Sequence, residues 1–383
     1  MHERLVPLDG KDVPYLYGMD CAGEIADAIT TMMDRADSAV LVADRRVAGH
    51  ADVIAARLRA VLPVTRYDVE AGDRQKRLPL VEEILEHAIA RGATRGSVVI
   101  GMGGGMVGNV AGLVAALMYR GTRLVHLPTT PVAAFDSVLS VKQAVNLSGG
   151  KNLCGTYYAP SLIACDLRWL AGVPDAEMLT GLAEMVKNVL AVLPARQDVL
   201  IDALHRLSVD RESALLDLLE IGREAKAPFL RVDPRERREA LIFEYGHTTG
   251  HALEFVARGA MSHGEAVAWG MLVAAEVSRM LGHLDSRDVE RHYQLIRCLR
   301  LPDAATRLGG MDPDAVRGIL AKDNKRGYLP HVAGQIAMVL LDAPGHVLTG
   351  DGGYPLVPVP IDLPLAALDT VIRSVNREPV RGA

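Results

Sequence analysis

Five short apolar runs recur through the first 170 residues: AVLVAD (39–44), VTRYDV (64–69), SVVIGM (97–102), RLVHLP (123–128) and SLIACD (161–166). Stretches with helical apolar spacing lie between them, among them PLVEEILEHAIARG (79–92) and NVAGLVAALMYRG (109–121). Runs this short and this continuously apolar read as strands buried on both faces. Strands alternating with helices define an α/β fold, a doubly wound, Rossmann-like parallel sheet with helices on each side. Aromatic residues make up only 4% of the chain, so its cores must be built from Ala, Val and Leu.

At AGVPDAEML (171–179) the pattern changes. Helical spacing then predicts helices over 176–193, 196–206, 211–228, 247–258, 263–282 and 287–299. A strand pair is expected from QIAMVLL (335–341) and GHVLTG (345–350), then a closing helix over 364–376. A chain of 383 residues exceeds what one core supports. Two domains are therefore expected, an α/β domain over 1–170 and a mainly α-helical one over 171–383, with the active site in the cleft between them. Net charge is −5 with no basic arm, which argues against nucleic acid as a partner. No run reaches the ~18 apolar residues of a membrane span. The start, MHERLVPLDGKDVPYLYG, lacks the apolar centre of a signal peptide. Cys21, Cys154, Cys165 and Cys298 are widely spaced, as expected of reduced thiols in a cytoplasmic protein.

The stretch SVVIGMGGGMVGNVAG places Gly103, Gly105 and Gly108 as G-x-G-x-x-G, after one predicted strand and opening a helix. Glycines let a backbone approach a phosphate, and a helix N-terminus favours its charge. Alone, such a turn is as compatible with a structural role as with dinucleotide binding. The acid usually found some 20 residues later is missing, the region reading HLPTTP. Asp44, at the end of the first strand, can supply the ribose-binding carboxylate, with Asp73 and Lys76 adding contacts.

Two further groups of residues carry chemistry. TTPVAAFDSVLSVKQAVNLSGGKN (129–152) sets Asp136, Lys142, Lys151 and Asn152 among small and aliphatic residues. Ammonium groups suit a phosphate, and carboxylate and amide suit hydroxyls, so the set fits a phosphorylated polyol. Glu184 in GLAEMVKNVL, His247 and His251 in EYGHTTGHALE, and His263 in MSHGEAVAWG are candidate metal ligands. His247 and His251 are four apart and share a helix face. HTTGH has no glutamate after its first histidine, which excludes the metalloprotease helix. Two histidines and a carboxylate leave coordination positions open, as a catalytic Zn or Co site needs. Spacing alone does not bring these three places together.

These pieces, in this order, resemble the sugar phosphate cyclases, the dehydroquinate synthase superfamily, from about Asp44 to Lys325. The motifs that carry the resemblance are GGGMVGN, LPTT, FDSVLSVKQAVN, GGKN, GLAEMVKN and EYGHTTGHALE. DSVLSVKQAVN and EYGHTTGH are most similar to the branch that makes the carbocycle of 2-deoxystreptamine aminoglycosides from glucose 6-phosphate. The resemblance implies NAD and one divalent metal, Co²⁺ or Zn²⁺, and a redox-neutral lyase reaction. That reaction comprises transient oxidation, phosphate elimination, reduction, ring opening and aldol closure. It implies Glu184, His247 and His263 as metal ligands, and Lys187, His251, Asn152 and Lys325 around the phosphate. Asp136, Lys142 and Lys226 are implied at substrate hydroxyls, and Glu244 as a proton carrier. The NAD contacts implied are Asp44, Asp73, Lys76, Gly103, Gly104, Gly105, Thr129, Thr130 and Lys151. Arg120 is implied to reach a partner subunit's site, making the protein a homodimer.

Departures from dehydroquinate synthase narrow the substrate. Ala240 stands where that enzyme carries an arginine for its substrate's carboxylate, Glu244 stands for an asparagine, and Asn109 for the aspartate ending its glycine turn. Without a guanidinium nothing replaces its bidentate bonds to a carboxylate, and glucose 6-phosphate has none. The alternatives are a cyclase for another sugar phosphate, of the 2-epi-5-epi-valiolone or dehydroquinate type, a metal-dependent polyol dehydrogenase, and a non-enzymatic paralogue.

Overall fold

The computed structural model describes residues 1–32, 35–301, 307–323, 325–350 and 352–377. Its contacts divide the chain into two compact units, Met1–Met178 with Leu207–Arg235, and Leu179–Arg206 with Glu236–Ala383.

The first unit runs β1 (His2–Leu8), β2 (Lys11–Gly18), α1 (Ala22–Met32), β3 (Ala39–Asp44), α2 (Ala48–Arg59), β4 (Val64–Val69) and α3 (Leu78–Ala90). It continues β5 (Val98–Gly103), α4 (Gly105–Leu117), β6 (Arg123–Pro128), β7 (Lys142–Leu147), β8 (Gly150–Tyr157), β9 (Leu162–Asp166) and α5 (Leu167–Ala171). Seven strands form one sheet in the order β1-β2-β9-β6-β5-β3-β4. Only the β1–β2 pairing is antiparallel. The five strands expected from the apolar runs all lie parallel in it, but β4 stands at the sheet edge and is only half-buried, which is why VTRYDV carries Thr, Arg and Asp.

The continuous hydrophobicity of the inner strands has a direct cause. Ala39, Leu41 and Ala43 of β3 pack with Ile25 and Ile29 of α1 and Ile54 and Leu58 of α2. The intervening Val40 and Val42 pack with Ile84 of α3 and Val107, Val110 and Val114 of α4. Each Val, Leu or Ile so buried contributes roughly 1.5–3 kcal/mol. Parallel register brings the C-terminal ends of β3, β4, β5 and β6 to one edge, where Asp44 lies level with Val69 and Gly103 with Pro128.

Two hairpins in this unit were not expected. The β1–β2 turn is Asp9–Gly10, both at positive φ, an Asp-Gly hairpin signal plainly present in the sequence. β7 and β8 form a separate two-stranded sheet across the second half of the Thr129–Asn152 stretch.

Beyond these come α6 (Asp175–Ala191), α7 (Gln197–Arg206), α8 (Arg211–Val232), α9 (His247–Val256), α10 (His263–Met280), α11 (Ser286–Arg297), α12 (Pro313–Leu320) and α13 (Asp362–Arg377). α8 falls in the first unit rather than the second, so the contacts do not divide the chain at one cut. There Gly222 faces the Phe135 carbonyl with no room for a side chain. α12 went unpredicted, although Asp312 caps it and Pro313 opens it.

The C-terminal strands pair differently from expectation. β10 (Gln335–Met338) pairs with β13 (Val357–Pro360), while the tight hairpin joins β11 (Leu341–Ala343) to β12 (His346–Val347). Val339 and Leu340 leave the strand between β10 and β11, so QIAMVLL is two strands and not one. Among the described residues, no helix is long and apolar enough to cross a membrane.

Candidate active site

In the second unit the site begins with backbone packing. α9 and α10 meet through glycines. Gly246 is left-handed at φ 78°, with Met271 where its side chain would be, and Gly250 abuts Ala266 and Val267. Gly270 of α10 faces the Gly246 carbonyl and the Gly250 amide directly. This approach, with no side chains between the helices, brings His247 and His251 on α9 to His263 at the start of α10. Their ring centroids are 5.2, 5.5 and 5.8 Å apart. One ring nitrogen from each lies within 4.8 Å of the others.

Glu184 on α6 completes the cluster. Its Oε1 is 3.4 Å from His247 Nε2 and 3.6 Å from His263 Nε2. Burial opposes its charge, but Lys187 and His247 outweigh burial and hold the carboxyl well below its usual range. Lys187, one helical turn on, pairs with Glu184, and both residues are 2% exposed.

His247 and His263, the two histidines beside Glu184, are each oriented from behind. His247 Nδ1 lies 3.2 Å from the Tyr245 carbonyl. His263 Nδ1 lies 2.9 Å from Glu254 Oε2. Each Nδ1–H donates outward, so Nε2 is the atom each ring turns toward Glu184, the orientation metal-binding imidazoles adopt. Burial opposes a proton on His263, yet Glu184 and Glu254 pull its pKa up to about 9. The space between these carboxylates therefore favours a cation. Burial and His247 push His251 down to about 3, leaving it neutral.

Beyond the histidines lies a second cation. Lys325, 2% exposed, sits 3.3 Å from Glu244 Oε2 and from Asp323. Burial opposes its charge, but Glu244 and Asp323 raise its pKa. Ala240 is 1% exposed, just ahead of Glu244. The structure thus gathers Glu184, Lys187, Glu244, His247, His251, His263 and Lys325. Glu254 and Tyr245 are members the sequence reading missed. Glu254 closes the quoted EYGHTTGHALE motif, but no spacing rule links it to His263.

In the first unit, the expected residues that follow β3, β4, β5 and β6 gather at the C-terminal edge of the sheet, whereas Arg120, after α4 and ahead of β6, lies at the opposite edge. Gly104 caps α4. A side chain at Gly103 would strike Val107, and one at Gly104 or Gly105 would crowd Thr130 or Ser137 at 3.2 and 3.1 Å. The cavity behind this turn is lined by Gly101, Gly108, Asn109, His126 and Gln143. His126 Nδ1 is buried there without a hydrogen-bond partner, as is Thr130 Oγ1 beside Gly104. Thr129 donates its amide to the Gly103 carbonyl at 3.0 Å.

Asp44 is 1% exposed, and Arg46 already holds its carboxylate at 2.8–3.2 Å. A ribose would share those oxygens or displace the half-exposed arginine. The loop after β4 is tied to the β7–β8 hairpin. Lys76 Nζ donates to Asn152 Oδ1 at 2.6 Å, and Lys151 pairs with Asp73 at 2.7 Å. Asn146 accepts from the Asn152 amide and donates to the Asp73 carbonyl. Lys226 of α8, 3% exposed, pairs with Asp136 at 2.9 Å. Lys142 is exposed at the start of β7, and Arg120 is exposed and left-handed just after α4.

Comparison with known proteins identifies the family. The 3-dehydroquinate synthase N-terminal domain matches residues 66–180, and its C-terminal domain residues 181–326. The chain belongs to the dehydroquinate synthase family. It is 43% identical over 374 residues to 2-deoxy-scyllo-inosose synthase of Streptomyces paromomycinus, covering 97% of this chain and 95% of that one. With the enzyme of that name from Streptomyces lividus it shares 44% over 365 residues, 94% of this chain and 93% of the relative. The crystal structure of a 2-deoxy-scyllo-inosose synthase complexed with carbaglucose-6-phosphate, NAD⁺ and Co²⁺ matches with a TM-score of 0.87. Identity there is 33%, covering 97% of this chain and all of that one.

Proposed function

We propose that this sugar phosphate cyclase is a carbon–oxygen lyase converting D-glucose 6-phosphate to 2-deoxy-scyllo-inosose and phosphate, with NAD and one divalent metal, Co²⁺ or Zn²⁺. Its product is the carbocycle of 2-deoxystreptamine aminoglycosides, and it acts in the cytoplasm as a homodimer that Arg120 helps to complete. The observation that carries the reading is the second unit's cluster, in which metal donors and two buried lysines occur together. A simple polyol needs no such phosphate clamp, and Ala240 offers no guanidinium to a carboxylate. Near-full-length identity to 2-deoxy-scyllo-inosose synthases supports the choice of sugar.

The residues present fit both groups. Glu184, His247 and His263 offer one ionised oxygen and two oriented nitrogens. The side-chain-free turn at Gly103–Gly105 opens α4 at the strand end, where a helix N-terminus favours a pyrophosphate, with the partnerless Thr130 hydroxyl beside Gly104. Asp44, Asp73, Lys76, Thr129 and Lys151 complete the dinucleotide site. When bound, the metal supplies Lewis acidity at adjacent hydroxyls and NAD a reversible hydride acceptor at C4.

The chain's own residues do the rest. Asp136, Lys142 and Lys226 hold substrate hydroxyls. While C4 is at the ketone level the C5 proton is acidic. Glu244 is the carboxylate that carries it, in company with the substrate's phosphate. Lys187, Lys325 and the Asn152 amide hold the phosphate and stabilise its charge as the C6–O bond breaks, with neutral His251 beside it. After C4 returns to the alcohol level, the ring opens and the C6 enol carbon adds to the C1 aldehyde. Loss of phosphoric acid is the only net change, so no oxidant is consumed.

Burial pulls Lys76 down to about 8, so its ammonium is lost as pH rises through that value. Between about pH 8 and 10.5 the unfolded chain still binds this proton, so deprotonation favours the fold while weakening a dinucleotide's hold. NAD affinity measured by calorimetry should fall about threefold to tenfold between pH 7 and 9, and Lys76→Met should flatten that profile.

The deciding experiment follows phosphate release from glucose 6-phosphate with NAD and Co²⁺ while absorbance of NADH is monitored. Phosphate without NADH accumulation, and C4 deuterium retained in a six-carbon cyclic ketone, is the expected result. Release from a seven-carbon sugar phosphate alone would change the substrate. NADH accumulating without phosphate would mean a dehydrogenase.

A further inference from the structure

The mechanism leaves unused a buried histidine on α11. His292 is 0% exposed, as is the tyrosine it meets. Its Nδ1 lies 2.7 Å from the Asp288 carbonyl, one turn back on its own helix, so Nδ1 carries the proton and Nε2 accepts. Tyr245 donates its hydroxyl to that Nε2 at 2.9 Å. The same hydroxyl is 3.5 Å from the Met271 carbonyl on α10. Burial, opposed by the Asp288 carbonyl and aided by Arg291, pushes His292 down to about 4, which keeps the ring a neutral acceptor.

The other end of Tyr245 carries the consequence. Its backbone carbonyl accepts from His247 Nδ1 at 3.2 Å. Tyr245 is extended at ψ 128°, and Gly246 then turns left-handed so that His247 is the first residue of α9. The direction of that carbonyl is thus set by how the tyrosine is anchored, and a glycine bend lies between the anchor and the ligand. We infer that His292 is a positioning residue for the metal ligand His247, acting through the Tyr245 hydroxyl and carbonyl to fix the ring's tautomer and aim. The inference rests on the metal reading proposed above.

Three hydrogen bonds connect α11 to the ligand, from the Asp288 carbonyl to His292, from His292 to the Tyr245 hydroxyl, and from the Tyr245 carbonyl to His247, with the tyrosine itself joining the last two. Partners behind a metal-bound imidazole typically govern affinity by 10–100-fold. His263 has a carboxylate in that place and His247 a peptide carbonyl, which has no side-chain charge to hold it. Anchoring the tyrosine supplies the missing constraint.

The test uses the full chain, stripped of metal and titrated with Co²⁺ alone, reading the d–d absorption and the dissociation constant. His292→Leu and Tyr245→Phe should each weaken Co²⁺ about tenfold or more and shift the d–d bands. His292→Gln, whose amide can both accept from the tyrosine and donate to Asp288, should recover most of the affinity. Tyr245→Phe keeps the ring's volume and so tests the bond in a folded protein. Co²⁺ affinity and spectrum unchanged in Tyr245→Phe, with only the metal-free melting temperature lowered, would make the pair core packing and overturn the inference. Glu184→Gln separates the other failure: if that variant binds Co²⁺ as well as the parent chain does, the metal reading itself is wrong.

Discussion

Glu184→Gln is expected to lose its divalent metal and to release phosphate from glucose 6-phosphate about a thousandfold more slowly, or worse. The amide keeps the shape of the side chain but removes the one charge shared among His247, His263 and Lys187. A Lewis acid contributes several kcal/mol to a barrier, and each 1.36 kcal/mol is tenfold in rate. The structure adds a cost that sequence could not show. Lys187 is 2% exposed, and without Glu184 its ammonium would be buried unpaired. Leaving one member of a buried pair costs about 3–5 kcal/mol unless the lysine gives up its proton. The variant's metal-free form should therefore melt several degrees lower. Glu184→Gln combined with Lys187→Met should recover much of that stability and none of the activity. Elemental analysis beside a melting curve decides the matter: stoichiometric metal and near-normal turnover in the single variant would remove Glu184 from the ligand set.

That hidden cost illustrates where sequence reading stops. β3, β5 and β6 were legible because burial on both faces leaves mostly apolar residues in six-residue runs, and β3 begins and ends where the pattern placed it. The β7–β8 hairpin was not. β8 reads GKNLCGTY and is mostly exposed, so no alternation marks it. Its position comes from tertiary ties, Asn146 to Asp73 and Asn152, and Lys76 to Asn152. The C-terminal strands failed for a related reason. A strand's partner is chosen by what lies across from it, and β13 is short and carries two prolines.

The candidate site divides in the same way. The residues alone offered His247 and His251 on one helix face, a glycine turn behind a strand, and lysines near a carboxylate. Choosing Glu184 and His263 to accompany them required the family resemblance, because 63 and 16 residues separate them from His247. No periodicity connects Lys226 to Asp136, 90 residues away. Orienting partners are less legible still. Glu254 meets its histidine through one atom, and Tyr245 meets His247 through a backbone carbonyl, which every residue possesses.

The glycines of α9 and α10 make the sharpest case, because local and tertiary rules give opposite signs there. Gly270 sits inside an 18-residue helix, where alanine is intrinsically preferred by about 1 kcal/mol. Yet a Cβ at this position would lie 2.8 Å from the Gly250 nitrogen and 3.0 Å from the Gly246 carbonyl carbon. Both are backbone atoms, which no rotamer change can move aside, so α9 must shift bodily away from α10. Overpacking of this kind costs about 1–3 kcal/mol even where side chains can yield. Gly270→Ala is therefore expected to be destabilising by about 3 kcal/mol, the packing term overriding propensity. Because His247 and His251 ride on one helix and His263 on the other, the same shift should open the histidine cluster and weaken Co²⁺ binding at least tenfold. Gly318→Ala in α12, where a Cβ meets nothing within 4 Å, is the matched control and should be stabilising by about 0.5–1 kcal/mol. Melting curves and Co²⁺ titrations of the two variants give the answer, and a Gly270→Ala protein as stable as the Gly318→Ala protein would mean that the helix contact does not set the site.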